Sequence, residues 1–484
     1  MRSRRGLIHP ATLFILLTLG VVLLVWLFDI YGLSVYDAQS NSYLRVQNLL
    51  NAEGVRWLMR HSLSNFTEFA PLGMAIVSLL GIGIAEDSGY LEAASHQLLR
   101  WKIPSNAILV FIILLGVLSN VVGDMGYVFL IPLVAVLSPR FGIHPVASVL
   151  ITFVSVACGY SANLMLSSMD PLLARITGEV STLNGIVTVS TGSYINYYFL
   201  IASTFLITGV VFLLSKYRLI PQLEKREYTI EPMVRKVLSH REKRSLIISS
   251  AVGTLFLAVI MWLTFSSIGL FRGVSGELLR SPFIMGALVV LSSGLGLTGL
   301  IYGLSSGRYR NQLDVVKGLT VGVRQLSVFF VIVFFAAQFF ACLAYTRLDQ
   351  FVILYLGQLT AHLSLGVTSS LVVFILYVTT VNLVMVSAVG KWALIAPVFI
   401  PLFWSMGVSP DILQAAYRIG DSATNGITPF LYYIPFVLAV LAQYKKKISF
   451  SFLFKNTWYF SVTILISWIL LFFIWFELGI PFGV

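Results

Sequence analysis

Apolar runs of about twenty residues recur along the whole chain, and a membrane-spanning helix needs a run of about that length. Nine runs qualify: 10–31, 64–86, 145–169, 190–215, 245–266, 282–303, 320–345, 411–435 and 457–480. Of the 484 residues, 58% are hydrophobic and 11% are charged, whereas a soluble domain has about 25% charged residues. The sequence therefore predicts an all-α polytopic membrane protein with nine transmembrane helices.

Two further apolar segments, 104–137 and 367–405, are too long for one helix. Each has a polar or glycine-bearing centre, LSNVVGDMG at 118–126 and NLVMVSAVGK at 382–391. Non-helical backbone is tolerated at membrane depth only where it is buried in protein or faces water. We therefore expect two re-entrant helical hairpins, with two full spans in each segment as the alternative.

The distribution of basic residues predicts the orientation of the chain. With the N-terminus inside and both hairpins returning to their own side, the inside segments hold 22 lysines and arginines and the outside segments hold seven. Basic residues collect in cytoplasmic loops, so this topology places the N-terminus inside and the C-terminus outside. The same rule explains the net charge of +12 without nucleic-acid binding.

The chain also contains a weak internal repeat. GYVFLIP at 126–132 and KWALIAP at 391–397 lie 265 residues apart, as do Pro145 and Pro410, and a polar interruption follows each proline. We predict a first half at 1–215, a cytoplasmic linker at 216–244 and a second half at 245–484. The hairpins would open to opposite sides, which is the inverted repeat of many secondary transporters.

Four segments resemble the AbgT family, the p-aminobenzoyl-glutamate transporters. They are NFTEFAPLGMAIVSLLGIGIAEDSGYLEAA (65–94), YSANLMLSSMDPLLARIT (160–177), GKWALIAPVFIPLF (390–403) and SPDILQAAYRIGDSATNGITPFLYYIPFVLA (409–439). The resemblance implies a homodimer in the bacterial inner membrane, with nine helices and two hairpins per protomer. It also implies transport of p-aminobenzoyl-glutamate, or export of antimetabolites such as sulfonamides, driven by a proton or sodium gradient and without a cofactor.

By the same resemblance, the functional positions of the family fall on Asp170, Trp392, Pro410 and Arg418. A charge at the centre of a membrane helix costs at least about 2.5 kcal/mol, so Arg418 must be paired or face water. Its guanidinium suits a substrate carboxylate; the alternative is an ion pair with Asp421 at the i+3 position.

Asp170 precedes a proline, which disfavours helix at the aspartate. Its carboxylate could carry a proton or help to bind a cation; alternatively, Asp170 caps the helix that Pro171 begins. Trp392 could stack on the aminobenzoyl ring of the substrate or be an ordinary packing residue. We expect Pro410 to set the start of a helix.

Amide and hydroxyl side chains cluster at the hairpin centres and helix breaks, where unwound backbone can coordinate Na⁺. We predict one cation or tip site at Ser119, Asn120, Gly123 and Asn163, and another at Asn382, Ser387, Thr424 and Asn425. The alternative is that these side chains satisfy broken backbone. Asp124 is either a capping carboxylate at the first tip or a proton site.

Other function classes lack their motifs. No HExxH zinc motif occurs, and no GxxxxGK motif followed by serine or threonine occurs, so the sequence predicts neither an intramembrane enzyme nor an ATP-driven pump. The six histidines show no ligand spacing, and Na⁺ is the only metal ion that we expect. A dicarboxylate or citrate carrier of similar hairpin architecture remains the alternative, against which the KW dipeptide and the RIGDSATN segment argue.

Overall fold

The computed structural model describes residues 8–186, 192–224, 238–266, 269–273, 276–324, 326–361, 365–445 and 448–484. The described chain is nearly all helical. Its α-helices are α1 Pro10–Ile30, α2 Ala52–Thr67, α3 Ala70–Asp87, α4 Tyr90–Leu99, α5 Ser105–Leu118, α6 Ile131–Leu137, α7 Pro145–Cys158, α8 Asp170–Leu183, α9 Tyr197–Leu214, α10 Ile220–Glu224, α11 His240–Phe265, α12 Pro282–Met285, α13 Ala287–Ser306, α14 Gln312–Arg324, α15 Ser327–Thr346, α16 Leu348–Ala361, α17 Val367–Asn382, α18 Ala388–Ser405, α19 Pro410–Ala423, α20 Ile434–Tyr444 and α21 Phe450–Glu477. Two short antiparallel strands, β1 Ser34–Asp37 and β2 Ser42–Arg45, follow α1.

Nine helical stretches in the described ranges are long and apolar enough to cross a membrane. Seven of them coincide with predicted spans: α1, α2 with α3, α9 with α10, α11, α13, α15 and α21. The other two are Ser105–Val122 and α18, which are arms of the predicted hairpins. The polytopic all-α class is therefore confirmed, although the nine stretches are not the nine that the sequence predicted.

The difference lies in the two predicted broken spans. The run 145–169 contains only α7, which ends at Cys158, and the run 411–435 contains α19, which ends at Ala423. Both helices begin at a proline in the first turn, where the missing N–H has no partner to lose. Helices α7 and α19 both end next to a stretch that contains glycine and asparagine. Neither helix is therefore long enough to cross a bilayer alone.

The predicted hairpin segments each contain two helices joined by a short irregular stretch. In the first, α5 passes into a 3₁₀ turn at Ser119–Val122, and a π-helical turn at Gly126–Leu130 precedes α6. In the second, α17 ends at Asn382 and α18 begins at Ala388, with Pro397 and Pro401 inside it. The interrupted helices are confirmed, and their re-entrant path in a bilayer stays a prediction.

Several helices lie in segments where no span was predicted. They are α4, α16 and most of α14, which are too short or too polar to be recognised from an apolar run. The predicted linker 216–244 is also partly helical, because residues 216–224 continue α9 through a π-helical turn and α10, and α11 begins at His240. The rest of the linker lies outside the described residues. So do nine of the basic residues that were counted for the orientation: Arg2, Arg4, Arg5, Lys225, Arg226, Arg235, Lys236, Lys446 and Lys447.

Helices from the two halves of the sequence pack against each other. Helix α1 lies along α15, and α3 packs on α13 and α14. Nearer the hairpins, α5 and α6 pack on α7, α17 packs on α19, and α18 packs on α8. The last of these contacts joins the two halves. The breaks after α7 and α19 also meet in the buried core, where Asn425 Nδ2 donates to the Ala157 carbonyl.

Candidate functional site

Helix α19 carries the centre of the site. Pro410 is its first residue, and Gln414, Arg418 and Asp421 follow at spacings of four and three, so they lie along one face. All three of these polar side chains are buried. A polar stripe in a buried helix needs partners. The first half of the chain supplies those of Gln414 and Arg418, and the second hairpin supplies that of Asp421.

The partner of Arg418 is Asp170. The Arg418 guanidinium donates to the Asp170 carboxylate with an N–O distance of 2.6 Å, and only 4% and 1% of the two side chains are exposed. The predicted alternative, an ion pair between Arg418 and Asp421, is wrong. The helical spacing is suitable, but the guanidinium reaches across to the N-terminal end of α8 instead.

The N-terminal end of α8 positions the Asp170 carboxylate. Asp170 is the first residue of α8, and the residue before it, Met169, makes no side-chain capping bond. The second Asp170 oxygen accepts from the backbone N–H of Ser167, at 2.5 Å, and from its hydroxyl, at 3.0 Å. The predicted alternative of a capping aspartate is therefore wrong: this carboxylate is held back over the preceding loop and presented to Arg418.

A hydrogen-bond network extends from Arg418 to Trp392. Arg418 Nε and Gln414 Nε2 both donate to Asn196 Oδ1, at 3.2 and 2.9 Å. Thr177 donates to Gln414 Oε1 at 2.5 Å and accepts from the Trp392 indole N–H at 2.9 Å. Three of the four positions implied by the family resemblance are thus members of one buried network, and Pro410 begins the helix that carries it.

Trp392 is fully buried near the start of α18. Its ring lies 4.5 Å from that of Tyr417, centroid to centroid, and tilted by 38°. The Tyr417 hydroxyl in turn donates to the Ala388 carbonyl at 2.5 Å. In this arrangement the indole is covered by protein, so its proposed stacking on a substrate ring requires the site to open.

A second buried ion pair lies beside the first. Lys391 Nζ is 2.8 Å from Asp421 Oδ1, and the two side chains are 0% and 1% exposed. The same ammonium donates to Asn382 Oδ1 and to the Met385 carbonyl, the latter at 3.1 Å. Lysine at membrane depth is costly without such partners, and here the second hairpin and α19 supply all of them.

The predicted tip residues of the second half are partly brought together. Asn382 Nδ2 donates to Thr424 Oγ1 at 3.0 Å and to Asn425 Oδ1 at 2.8 Å. Asn425 Nδ2 crosses to the carbonyl of Ala157, at the end of α7. Ser387 has a different place: it is exposed, and its hydroxyl accepts from the Gly390 N–H as the cap of α18.

In the first half, Asn120 donates to the carbonyls of Val117 and Val156, and Ser119 donates to Gly116. Gly123 has a φ of +69° at the turn. Asn120 Oδ1 and Asn163 Oδ1 are buried and find no hydrogen-bond partner among the described residues.

Asp124, at the turn of the first hairpin, accepts a hydrogen bond of 3.1 Å from the Tyr433 hydroxyl, whose ring stacks on Tyr127. In the part of the chain that the structure describes, no group of three or more His, Cys, Asp or Glu residues could hold a metal ion.

Sequence reasoning missed the residues that connect the predicted ones. The sequence motifs do not single out Asn196, Thr177 or Gln414, and Lys391 enters only through the KW dipeptide. A signal did exist for Gln414 and Asp421, which share the i, i+4, i+7 stripe with Arg418. Asn196 and Thr177 had none, because their contacts join residues more than 200 positions apart.

Comparisons with known proteins agree with this architecture. The model of the AbgT putative transporter family matches residues 4–484. The p-aminobenzoyl-glutamate transport protein of Escherichia coli (strain K12) is 27% identical over 482 residues, which cover 98% of this chain and 93% of that protein.

Two solved structures are similar to the whole chain. The YdaH transporter of Alcanivorax borkumensis is 32% identical, with a TM-score of 0.54, and the match covers 98% of this chain and all of that one. MtrF of Neisseria gonorrhoeae, described as illuminating a class of antimetabolite efflux pumps, is 33% identical with a TM-score of 0.51. That match covers 97% of this chain and 96% of MtrF.

Proposed function

The chain belongs to the AbgT putative transporter family, and from this premise we propose that it is a secondary active transporter of p-aminobenzoyl-glutamate or related folate-pathway compounds, including sulfonamide antimetabolites. Because its family and relatives are transporters, the protein is a multi-pass membrane transporter and not an enzyme. Substrate, coupling ion and assembly are the parts that the proposal adds.

The observation that carries the substrate proposal is the single pairing of Arg418 with Asp170. A guanidinium can bind a carboxylate with two parallel hydrogen bonds, yet here one terminal nitrogen binds Asp170 and Nε binds the neutral Asn196. A substrate carboxylate would replace Asp170 on the same group. The aspartate then acts as a built-in competitor that holds Arg418 in place when no substrate is bound.

Charge balance supports coupling to a cation gradient. The two buried pairs, Arg418 with Asp170 and Lys391 with Asp421, contain two positive and two negative groups. p-Aminobenzoyl-glutamate brings two further carboxylates. Burying unbalanced charge costs several kcal/mol per ion even after relaxation, on the order of the whole stability of a domain, so we infer that protons or Na⁺ enter with the substrate and balance it.

The relatives support the aromatic part of the substrate. A p-aminobenzoyl-glutamate transport protein is a full-length relative, and Trp392 with Tyr417 provides an aromatic pair next to the Arg418 network. An aminobenzoyl ring that displaced one partner of this pair would keep the stacking. We propose that the amide-linked glutamate reaches Arg418 while the ring lies at Trp392.

We further propose a homodimer in the bacterial inner membrane, with the N-terminus inside and the C-terminus outside. The count of basic residues in the loops supports this orientation. The dimer rests on the family resemblance, and its test is the mass of the purified protein in detergent, which should equal two copies of the chain.

Reconstitution into liposomes tests the function. Labelled p-aminobenzoyl-glutamate, a sulfonamide and citrate are each offered under separate H⁺ and Na⁺ gradients, with protein-free liposomes as the control. We expect gradient-dependent flux of the first two solutes. Absence of both fluxes under every gradient would remove the substrate assignment, and flux of citrate alone would favour the dicarboxylate carrier.

A further inference from the structure

We propose that the Lys391 ammonium is a tethered cation that occupies an ion site in the second half of the transporter and so excludes Na⁺ from it. The inference deepens the ion coupling of the proposed function and rests on it. Ion specificity at this site then depends on one residue, Lys391.

The surroundings of Lys391 Nζ are those of a bound cation. Its partners in the described chain are oxygens from three sources: the Asn382 amide, the Met385 carbonyl and the Asp421 carboxylate. An amide oxygen, a backbone carbonyl and a carboxylate are ligand types of hard cations. The Tyr417 ring lies 5.9 Å from the ammonium and adds a negative π-face.

One oxygen of the Asp421 carboxylate accepts no hydrogen bond from the Lys391 ammonium. Asp421 Oδ2 is buried and has no hydrogen-bond partner among the described residues. An ammonium has three donors, and all three are used by the contacts above. A spherical cation has no such limit, so a Na⁺ ion in the same place could also contact Oδ2.

Among the described residues, the matching position in the first half is not a lysine. By the repeat offset of 265 residues, Lys391 and Asp421 correspond to Gly126 and Val156. These two residues are also neighbours, since a Cβ at Gly126 would lie 3.0 Å from Val156 Cγ1. An ion pair in one half thus stands where the other half has a glycine against a valine.

Asn120 and Asn382, which each lie near the end of the first arm of a hairpin but are three residues out of register by this offset, also differ in their partners. Asn382 Oδ1, at the end of the first arm of the second hairpin, accepts from Lys391. Asn120 Oδ1, at the end of the first arm of the first hairpin, is buried and finds no donor in the described ranges. This difference between the halves is expected if the Lys391 side chain occupies the ion site of the second half. Only the site at Asn120 in the first half is then available to an exchangeable ion.

Removing the lysine should therefore create Na⁺ dependence. Lys391→Met leaves Asp421 buried without a counterion, and loss of one partner of a buried pair is strongly destabilising. We expect Na⁺ to fill the vacated place. The variant purified in detergent should gain about 3 °C more in Tm than the wild type when NaCl replaces choline chloride at equal ionic strength, and should bind one additional Na⁺ per protomer.

The double variant Lys391→Met with Asp421→Asn is the matched control. It removes both charges, so it should fold in either salt and show only the Na⁺ response of the wild type. Any Na⁺ site elsewhere in the chain is common to all three proteins and cancels in the comparison.

Two outcomes would overturn the inference. One is a single variant with the Na⁺ response of the wild type. The other is a single variant that fails to fold in NaCl as it does in choline, while the double variant folds. Because no substrate is present, a missing flux of p-aminobenzoyl-glutamate would contradict the proposed function and leave this result unaffected.

Discussion

At Arg418 the geometry of the guanidinium matters more than its charge. One terminal nitrogen binds Asp170, and Nε binds Asn196, on a different element. A lysine can supply the charge but cannot make both contacts from one planar group. The proposed exchange of Asp170 for a substrate carboxylate depends on this planarity, since the substrate would use two nitrogens of the same fork.

Arg418→Lys should therefore reduce flux of p-aminobenzoyl-glutamate in liposomes while the protein still inserts and dimerises. Loss of one charged hydrogen bond is worth about 1.5–3 kcal/mol, which corresponds to roughly ten- to hundredfold. Arg418→Ala and Asp170→Ala should each abolish flux. Breaking this buried pair costs about 3–5 kcal/mol, so both alanine variants should also have a lower Tm.

The control separates loss of function from loss of stability. Asp170→Asn combined with Arg418→Gln removes both charges and leaves neither one buried alone, so we expect a Tm closer to that of the wild type than in either alanine variant, and no flux. Wild-type flux in this double variant, or in both alanine variants, would remove the pair from the transport mechanism.

The sequence identified the principal residues but not their partners. Asp170, Trp392, Pro410 and Arg418 were named because they match a family pattern. Arg418 pairs with Asp170, 248 positions away, and not with Asp421 on its own helix. This choice of partner depends on the relative positions of α8 and α19. Helical spacing gives only the local candidate, so the sequence favoured the wrong carboxylate as the ion-pair alternative.

At the scale of elements, the irregular turn of the first hairpin depends on one glycine. Gly123 has φ +69° and ψ −141°, a combination that is essentially restricted to glycine. It joins the 3₁₀ turn that carries Asn120 to the return arm. The backbone at this point positions Asn120, whose Oδ1 has no hydrogen-bond partner among the described residues, so strain here would act on the predicted ion site of the first half.

Gly123→Ala should lower stability by about 1–3 kcal/mol, the usual cost of such a conformation in a residue with a Cβ, and should reduce flux. The measurement is Tm in detergent together with flux in liposomes. Gly20→Ala is the matched control, because Gly20 lies inside α1 with no atom within 4 Å of an added Cβ. Equal effects of the two substitutions would show that the turn tolerates a side chain.

Elements were predictable where one physical signal decides them. Long apolar runs became α1, α11 and α21, and the glycine- and asparagine-rich stretches became helix breaks. Helices α14 and α16 were not predicted, because packing on other helices stabilises them and no long apolar run marks them in the sequence. The β1–β2 hairpin lies in a polar loop, and its contact with α16 is the kind of support that a single sequence does not display.

At the scale of the whole molecule, orientation in the membrane can be tested with the cysteines already present. Cys158 and Cys342 are both buried, so the native chain should react little with an impermeant maleimide. Tyr43 and Trp101 are 71% and 68% exposed, and they lie in the loops that the basic-residue count places outside and inside.

In spheroplasts, Tyr43→Cys should be labelled at once, and Trp101→Cys should be labelled only after the membrane is permeabilised. The wild-type protein measures the background from the native cysteines. Labelling of Trp101→Cys in intact spheroplasts, with protection of Tyr43→Cys, would reverse the predicted orientation.

The packing of early helices on late ones has a consequence for how the protein is made. Helix α3 ends at Asp87 and its neighbour α13 begins at Ala287. The strand hairpin after α1 is likewise held by Gln358, whose side chain donates to the Tyr36 carbonyl. A ribosome adds about 5–20 residues per second, so α13 is synthesised roughly 10–40 s after the α3 helix on which it packs. During biosynthesis the first helices must therefore stay in the bilayer without their final neighbours, and a chain truncated before α13 would keep them in that state.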